Sequence, residues 1–314
     1  MGVVVVGAGV AGIACARVLA DAGISVRVLE RGRVPGGRLA TKRYDGRRTD
    51  IGAAYFTAQD DDFAFATVVD RWHQAGLVRE WTDTLTVLDP AGSRRTTGPM
   101  RWAAPGGLRS LVEDLATGLD LSTRHEVEWI EPGPKVDGEP ADAVVLAMPG
   151  PQALRLLHPT FTAARDAVQD QAWLPSLAVT LVYPQRSWSD FHGAFVNDHP
   201  VLQTVCDDGE RRGDGAPVLV AHTTAEFAEL YVADPSAAGD EAEAAVRSVL
   251  ELPDAAVAVH VHRWAYARPA RAGREPFYLD EQGIGIAGDA WGSPRVETAW
   301  LSGTALGRAL VSGS

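Results

Sequence analysis

The sequence predicts an α/β fold, on three observations. An apolar strand at residues 2–6 runs into Gly7-Ala8-Gly9-Val10-Ala11-Gly12 and a helical stretch. A second strand follows and ends on Glu30. Near the far end, Gly283-Ile284-Gly285-Ile286-Ala287-Gly288-Asp289 again leads an apolar strand into a glycine turn, ahead of the helical stretch 297–306. A strand, a GxGxxG turn and a helix let backbone N–H groups and a helix N-terminus approach a pyrophosphate. The two glycine segments therefore read as halves of one dinucleotide site, and a flavin dinucleotide is long enough to need both.

The first strand, the helix over 11–22 and the strand over 25–30 make a βαβ unit. Glu30 lies eighteen residues after Gly12. A carboxylate there accepts from both ribose hydroxyls and repels a 2′-phosphate, which favours FAD or NAD over NADP. Val34-Pro35-Gly36-Gly37-Arg38 is a turn with two residues free to take positive φ, and it places a planar guanidinium where it can pair with phosphate.

Further along, residues 61–75 have helical spacing, and 84–103 alternate as a hairpin around Asp89-Pro90-Ala91-Gly92. A helix is expected from Pro105-Gly106-Gly107 to about 118, with strands near 121–130 and 143–148. Residues 152–260 change texture, with helical pieces at 152–157, 161–168 and 236–251 and strand-like runs at 177–183, 218–223 and 257–262. The polar run 207–215 reads as a surface excursion.

With 314 residues, 46% of them apolar, the chain can bury a substantial core. A net charge of −12 argues against nucleic acid or an anionic membrane as partner, since phosphate binding needs a basic face. Cys15 and Cys206 are too few for a disulfide framework and lack metal or redox spacing. Without a basic n-region or an apolar span, the chain reads as cytoplasmic. His260 and His262 share one face of a strand, but no third ligand presents itself, so no metal site is expected. Oligomeric state leaves no signal.

The combination of Gly7–Gly12, Glu30, Gly36-Gly37-Arg38-Leu39-Ala40-Thr41, Asp50-Ile51-Gly52-Ala53-Ala54-Tyr55-Phe56-Thr57 and the closing Gly288-Asp289-Ala290-Trp291-Gly292-Ser293-Pro294-Arg295-Val296-Glu297 resembles the amine-oxidase-type flavoproteins. Within them it is most similar to the renalase-like branch, through Phe56-Thr57, Gly76-Leu77-Val78 before Trp81, and His262-Arg263-Trp264-Ala265-Tyr266-Ala267. The resemblance implies a Rossmann-like FAD-binding domain, discontinuous over 1–58, 99–150 and 263–314. It also implies an inserted α+β substrate domain on an antiparallel sheet, over 59–98 and 151–262, with FAD held non-covalently. Carried over by position, Ala11 would meet the pyrophosphate, Glu30 the adenosine ribose, Arg38 the phosphates, Ala54 and Tyr55 the flavin region, and Val127 the adenine. Asp289 and Val296 would close on the ribityl chain and the ring; Gly7, Gly9, Gly12, Arg31, Gly37, Ala53, Gly288 and Arg295 complete the cofactor set. Two departures stand out: Ala54 replaces the usual Gln, and neither Lys42 nor Lys135 matches the lysine that amine oxidases keep near the flavin.

The cofactor carries the redox step, so the chain's task is binding, orientation and electrostatics. A helix beginning near Val296 would aim its positive end at the flavin and favour acceptance of a hydride at N5. Tyr55, Trp264 and His222 are the candidate substrate-pocket residues. The resemblance implies an oxidase that takes a hydride from 2- or 6-dihydro isomers of NAD(P)H and uses O2, giving NAD(P)+ and H2O2. An amine oxidase, a desaturase or another tailoring oxidoreductase on a small apolar metabolite is the alternative, and a redox-silent flavin-binding protein is the third reading.

Overall fold

The structure, a computed structural model, describes residues 2–58, 63–188 and 191–313. Val3–Val6 (β1), Val10–Asp21 (α1) and Val26–Glu30 (β2) form the expected βαβ unit. A small hairpin follows, Thr41–Tyr44 (β3) and Arg47–Asp50 (β4), then helix Phe63–Gln74 (α2) and the long hairpin Arg79–Asp89 (β5) and Gly92–Ala103 (β6). Next come Arg109–Leu115 (α3), Asp120–Thr123 (β7), three two-residue strands at Ile130–Glu131 (β8), Lys135–Val136 (β9) and Glu139–Pro140 (β10), and Ala143–Leu146 (β11). Gly150–Leu156 (α4) and Thr162–Gln169 (α5) precede Trp173–Val182 (β12), Gly193–Val196 (β13), Leu202–Asp207 (β14), Asp208–Arg212 (α6) and Val218–Thr223 (β15). The chain ends with Ala225–Leu230 (α7), Gly239–Val249 (α8), Ala258–Pro269 (β16), Tyr278–Leu279 (β17), Ile284–Ile286 (β18) and Val296–Ser312 (α9).

These elements make two compact units. The first, Met1–Leu39, Arg109–Trp173 and Arg268–Ser314, carries a six-stranded sheet in the order β17-β18-β11-β1-β2-β7. Its strands pair in parallel except for β17, and the central strands β1 and β11, covered on both faces, read as unbroken apolar runs. All four residues of β1 and of β11 are buried. Each such valine contributes about 1.5–3 kcal/mol on burial, and a charge at Val5, which is 0% exposed, would be the most direct way to break this core.

The second unit, Ala40–Leu108 and Leu174–Ala267, carries a seven-stranded sheet in the order β16-β12-β15-β14-β13-β5-β6, antiparallel except at β13–β5. Its core gathers Leu177, Val179, Leu181, Tyr183, Trp188 and their neighbours under α7 and α8.

The fold is the α/β class the sequence predicts, with a Rossmann-like first unit and a second unit built on a mainly antiparallel sheet. The boundaries fall elsewhere than expected. Residues 40–58, 99–108 and 263–267 group with the second unit, and 151–173 with the first. The hairpin β3–β4 and the end of β6 are held by partners in the second unit, whereas α4 and α5 bury Ala153, Phe161, Ala164 and Val168 against Ile284 and Ile286 of the parallel sheet.

Local differences have similar causes. The strand expected over 121–130 stops at Thr123, because Arg124 takes φ +57° and turns the chain. β3, β4, β13 and β14 are short and polar or irregular enough to escape pattern reading. Residues 59–62, at the start of the helix expected over 61–75, lie outside the described residues.

Candidate functional site

In the first unit the glycine turn is set by close approach. Gly7 takes φ +105°, and a Cβ on Gly12 would sit 2.0 Å from the Gly7 carbonyl oxygen. The N-terminus of α1 is therefore pressed against the end of β1, with Gly9 as its N-cap residue. The second glycine turn packs on the first: Gly36 N donates to Ala8 O at 2.9 Å, and a Cβ on Gly37, at φ +53°, would lie 3.2 Å from Gly9 Cα. Glu30 locks the same turn, accepting from Ala8 N at 2.8 Å and from Gly32 N at 2.6 Å. The segment carrying Val127 runs alongside, since His125 N donates to Glu30 O at 2.9 Å and Arg124 N to Gly32 O at 2.8 Å. Val127 itself is buried, and the neighbouring Arg31 meets Glu126 in an exposed ion pair at 3.7 Å.

The far end of the chain returns to this place. Gly303 of α9 would put a Cβ 2.0 Å from the Ala11 carbonyl oxygen, and Gly307 one 3.0 Å from that of Cys15, so α9 lies in backbone contact with α1. Arg38 and Asp289, 251 residues apart, form a two-point ion pair at 2.8 and 2.6 Å, with the Arg38 guanidinium 5.0 Å above the Trp173 ring. Arg38 is expected on phosphate and Asp289 on the ribityl chain; in the structure the two pair with each other. Arg295 is the exposed N-cap residue of α9, and Val296 opens that helix with Glu297 buried behind it.

Two positions show a cradle that a side chain would fill. Gly288 takes φ +157°, which L residues rarely adopt, and a Cβ there would meet nothing within 4 Å; at Gly9 it would meet only the Gly37 Cα, at 4.0 Å. Both glycines leave bare backbone beside a helix N-terminus, the arrangement that suits a pyrophosphate. The bare backbone at these turns fits a dinucleotide, and Glu30 stands beside it with both carboxylate oxygens on turn N–H groups.

In the second unit the segment Asp50–Phe56 is held at almost every residue. Asp50 is fully buried; it accepts from Thr41 Oγ1 at 2.5 Å and Leu108 N at 3.1 Å, and pairs with Arg211 at 3.0 Å and Arg212 at 3.1 Å. Trp264 Nε1 donates to Ile51 O at 2.6 Å. His222 hydrogen-bonds to the Gly52 backbone, Arg211 donates to Ala54 O, and Phe56 bridges to Trp102 through both backbone groups. Ala53 is half-buried between these anchors. The Tyr55 ring lies 5.8 Å from Trp81 and 5.4 Å from the Arg101 guanidinium. Burial raises the Tyr55 phenol above its ordinary value, and Arg101 opposes part of that rise.

These contacts revise the roles read from sequence. Trp264 and His222, expected in the substrate pocket, are bonded to the backbone of this loop at Ile51 and Gly52. Burial, then the charge of Arg211, pushes His222 down to about 4. His262, 3.1 Å from Lys42 Nζ, is likewise pushed down to about 4, by burial and then by that lysine. His260 stacks on Tyr44 at 4.0 Å. Among the described residues no group of three metal-ligating side chains occurs.

The largest omission from the sequence reading is the charge cluster on α6. The run expected as a surface excursion over 207–215 is exposed only at 213–215: Asp207, Asp208, Arg211 and Arg212 are buried. Asp208 pairs with Arg211, with Arg212 at 3.1 Å and with Arg47 at 2.6 Å. Burial would raise its pKa, but the three guanidinium groups outweigh burial and hold it below the ordinary value. The sequence carries no periodic signal for this, since ion pairing rather than apolar contact takes these side chains inside.

Comparison with known proteins agrees with this geometry. Residues 5–72 match the family described as NAD(P)-binding Rossmann-like domain, and residues 80–309 the family described as flavin containing amine oxidoreductase. Putrescine oxidase of Kocuria rosea is 38% identical over 136 residues, 41% of this chain and 27% of that protein. Phytoene dehydrogenase of Streptomyces griseus is 49% identical over 70 residues, 22% of this chain and 14% of that one. The matched segments thus span about a quarter or less of those relatives' lengths. Among solved structures, a putative protoporphyrinogen oxidase from Exiguobacterium sp. 255-15 superposes with a TM-score of 0.79 at 16% identity, covering 99% of each chain. A putrescine oxidase bound to putrescine superposes with 0.76 at 18%, again covering 99% of each. Likeness at that identity speaks to the fold. The family match over most of the length, together with the double glycine turn, identifies the chain as a member of the flavin-containing amine oxidoreductase family, whose cofactor is FAD.

Proposed function

We propose that the protein is an FAD-dependent oxidase similar to renalase, taking a hydride from 2- or 6-dihydro isomers of NAD(P)H. In the overall balance, one dihydronicotinamide, one O2 and one proton give one NAD(P)+ and one H2O2. When bound, the flavin supplies the two-electron acceptor at N5 and hands the electron pair to O2. Gly7, Gly9, Gly12, Gly37 and Gly288 would let it approach, with Glu30 on the ribose, while Arg38, Asp289 and the start of α9 serve its phosphate-to-ring half. Asp50, Arg211, Trp264 and His222 hold the loop that carries Ala53, Ala54 and Tyr55.

One observation carries the substrate choice: the histidine bonded to this loop is too weak a base to take up a proton at neutral pH. His222 is held neutral down to about 4. A protonated amine must lose a proton before a hydride leaves its carbon, and a base serves best with a pKa near the working pH. A dihydropyridine needs no base, because loss of its hydride restores aromaticity. Anaerobic mixing with the 2- and 6-dihydro isomers should bleach the flavin absorbance; no bleaching with either isomer overturns the assignment.

Amine oxidation is the second reading, favoured by the 38% identity to putrescine oxidase over 136 residues. Asp50 and Asp208, the buried carboxylates that hold this loop and α6, are both committed to guanidinium groups and leave no charge for a cationic amine. Flavin reduction by a panel of amines but not by dihydronicotinamides would establish it.

A further inference from the structure

Arg101 is a buried cation with no carboxylate partner among the described residues. It is 6% exposed, its Nη1 donates to the Asp83 carbonyl oxygen at 2.8 Å, its guanidinium hydrogen-bonds to the Tyr55 side chain, and its Nε has no hydrogen-bond partner. Among the described residues no carboxylate pairs with it, whereas Arg211 and Arg212 each meet two. The nearby Cys206 supplies no counter-charge, since burial pushes its thiol up to about 11. An uncompensated buried charge is unfavourable, so such a group persists where a ligand satisfies it.

The backbone around Arg101 is built irregularly. Glu80 pairs with Trp102, Thr82 with Arg101 and Thr84 with Thr97, so one extra residue on β5 and then two on β6 frame this position. Bulges of this kind re-aim a side chain and recur beside active sites. Here the guanidinium is brought 5.4 Å from the Tyr55 ring.

We infer that Arg101 determines specificity by donating to a planar acyl group conjugated to the substrate's ring. The group is the carboxamide of a nicotinamide or the carboxylate of a nicotinate. This rests on the dihydronicotinamide reading of the Tyr55 region. The planar guanidinium can donate two bonds to the oxygen pair of a carboxylate and one to the single oxygen of a carboxamide, and the same buried charge repels a protonated amine.

The test uses the oxidised holoenzyme, titrated with nicotinamide, nicotinate and benzylamine while flavin absorbance and tryptophan fluorescence report binding. Nicotinamide and nicotinate should bind and benzylamine should not. R101M should weaken nicotinate about 30-fold, the scale of a truncated buried charge contact, and nicotinamide less. A charge without the fork, R101K, should restore nicotinate binding in part, with thermal stability checked for both variants. The ratio of the two losses tells carboxylate from carboxamide. Unchanged affinities in folded R101M and R101K, or benzylamine binding as tightly as nicotinate, overturn the proposal. If dihydronicotinamides fail to reduce the wild type while nicotinate binding still requires Arg101, the acyl subsite stands and the assigned reaction falls. If they reduce wild type and R101M with equal kcat/KM, the subsite falls and the reaction stands.

Discussion

Asp208 shows how far single residues in this protein depend on their partners. Its side chain is fully buried and faces three guanidinium groups, so Asp208→Asn would leave Arg47, Arg211 and Arg212 with less negative charge than they were placed around. Breaking a buried pair from one side costs about 3–5 kcal/mol, and urea unfolding of Asp208→Asn should show a loss of that order; a loss under 1 kcal/mol would mean the cluster is solvated. His222 sets a pH limit. Its folded value of about 4 lies below the ordinary 6.5 because of burial and then Arg211. Between those values the unfolded chain binds the extra proton, so the stabilisation is fully present above 6.5 and is lost as pH falls toward 4. His262 adds to the same acid limb. Denaturant midpoints at pH 7.5 and pH 5 should therefore fall further in the wild type than in His222→Asn, and equal falls would contradict the assignment.

At the level of elements, the decisive contact is α9 against α1. Two glycines four residues apart, Gly303 and Gly307, let the last helix touch the backbone of the first. Gly303→Ala would place a methyl group 2.0 Å from the Ala11 carbonyl oxygen, forcing apart the two helices whose N-termini face the glycine turns. Overpacking of this kind costs about 1–3 kcal/mol, so its thermal midpoint should drop. Gly313→Ala is the control: it lies at φ −96° after the helix end and should stay within about 0.5 kcal/mol of wild type. Equal midpoints for the two variants would show that the helices can separate freely. The short α6 teaches a complementary lesson. Asp207 caps it by accepting from Glu210 N at 2.9 Å, and Gly213 ends it at φ +81°. A five-residue helix with Asp, Glu and Arg inside has no hydrophobic period to read, so its burial could be found only from three dimensions.

For the whole molecule, the sequence made legible what local chemistry dictates: the βαβ unit, the β5–β6 hairpin, β15 and the pairing of the two glycine segments in one unit. It did not reveal where the units divide, nor that Asp50, inside a recognised motif, anchors its loop through Arg211 and Arg212, because those partners lie 161 residues or more away and follow no spacing rule. The same long-range closure, by Arg38 and Asp289, makes cofactor and stability one question. A ligand that binds only the folded chain stabilises it by RT ln(1 + [L]/Kd), about 2.7 kcal/mol at a hundredfold excess over Kd, or about 5 °C in Tm for a chain of this size. Adding FAD to the stripped protein should therefore raise the thermal midpoint progressively with concentration. Gly288→Val should abolish that rise, because a side chain there meets no packed neighbour and occupies the space beside the turn. Its positive φ adds some strain, of order 1–3 kcal/mol, so the concentration dependence is the readout that matters. A midpoint indifferent to FAD in the wild type would remove the nucleotide site from this fold, and a Gly288→Val protein that still responds fully would place the flavin away from the second glycine turn.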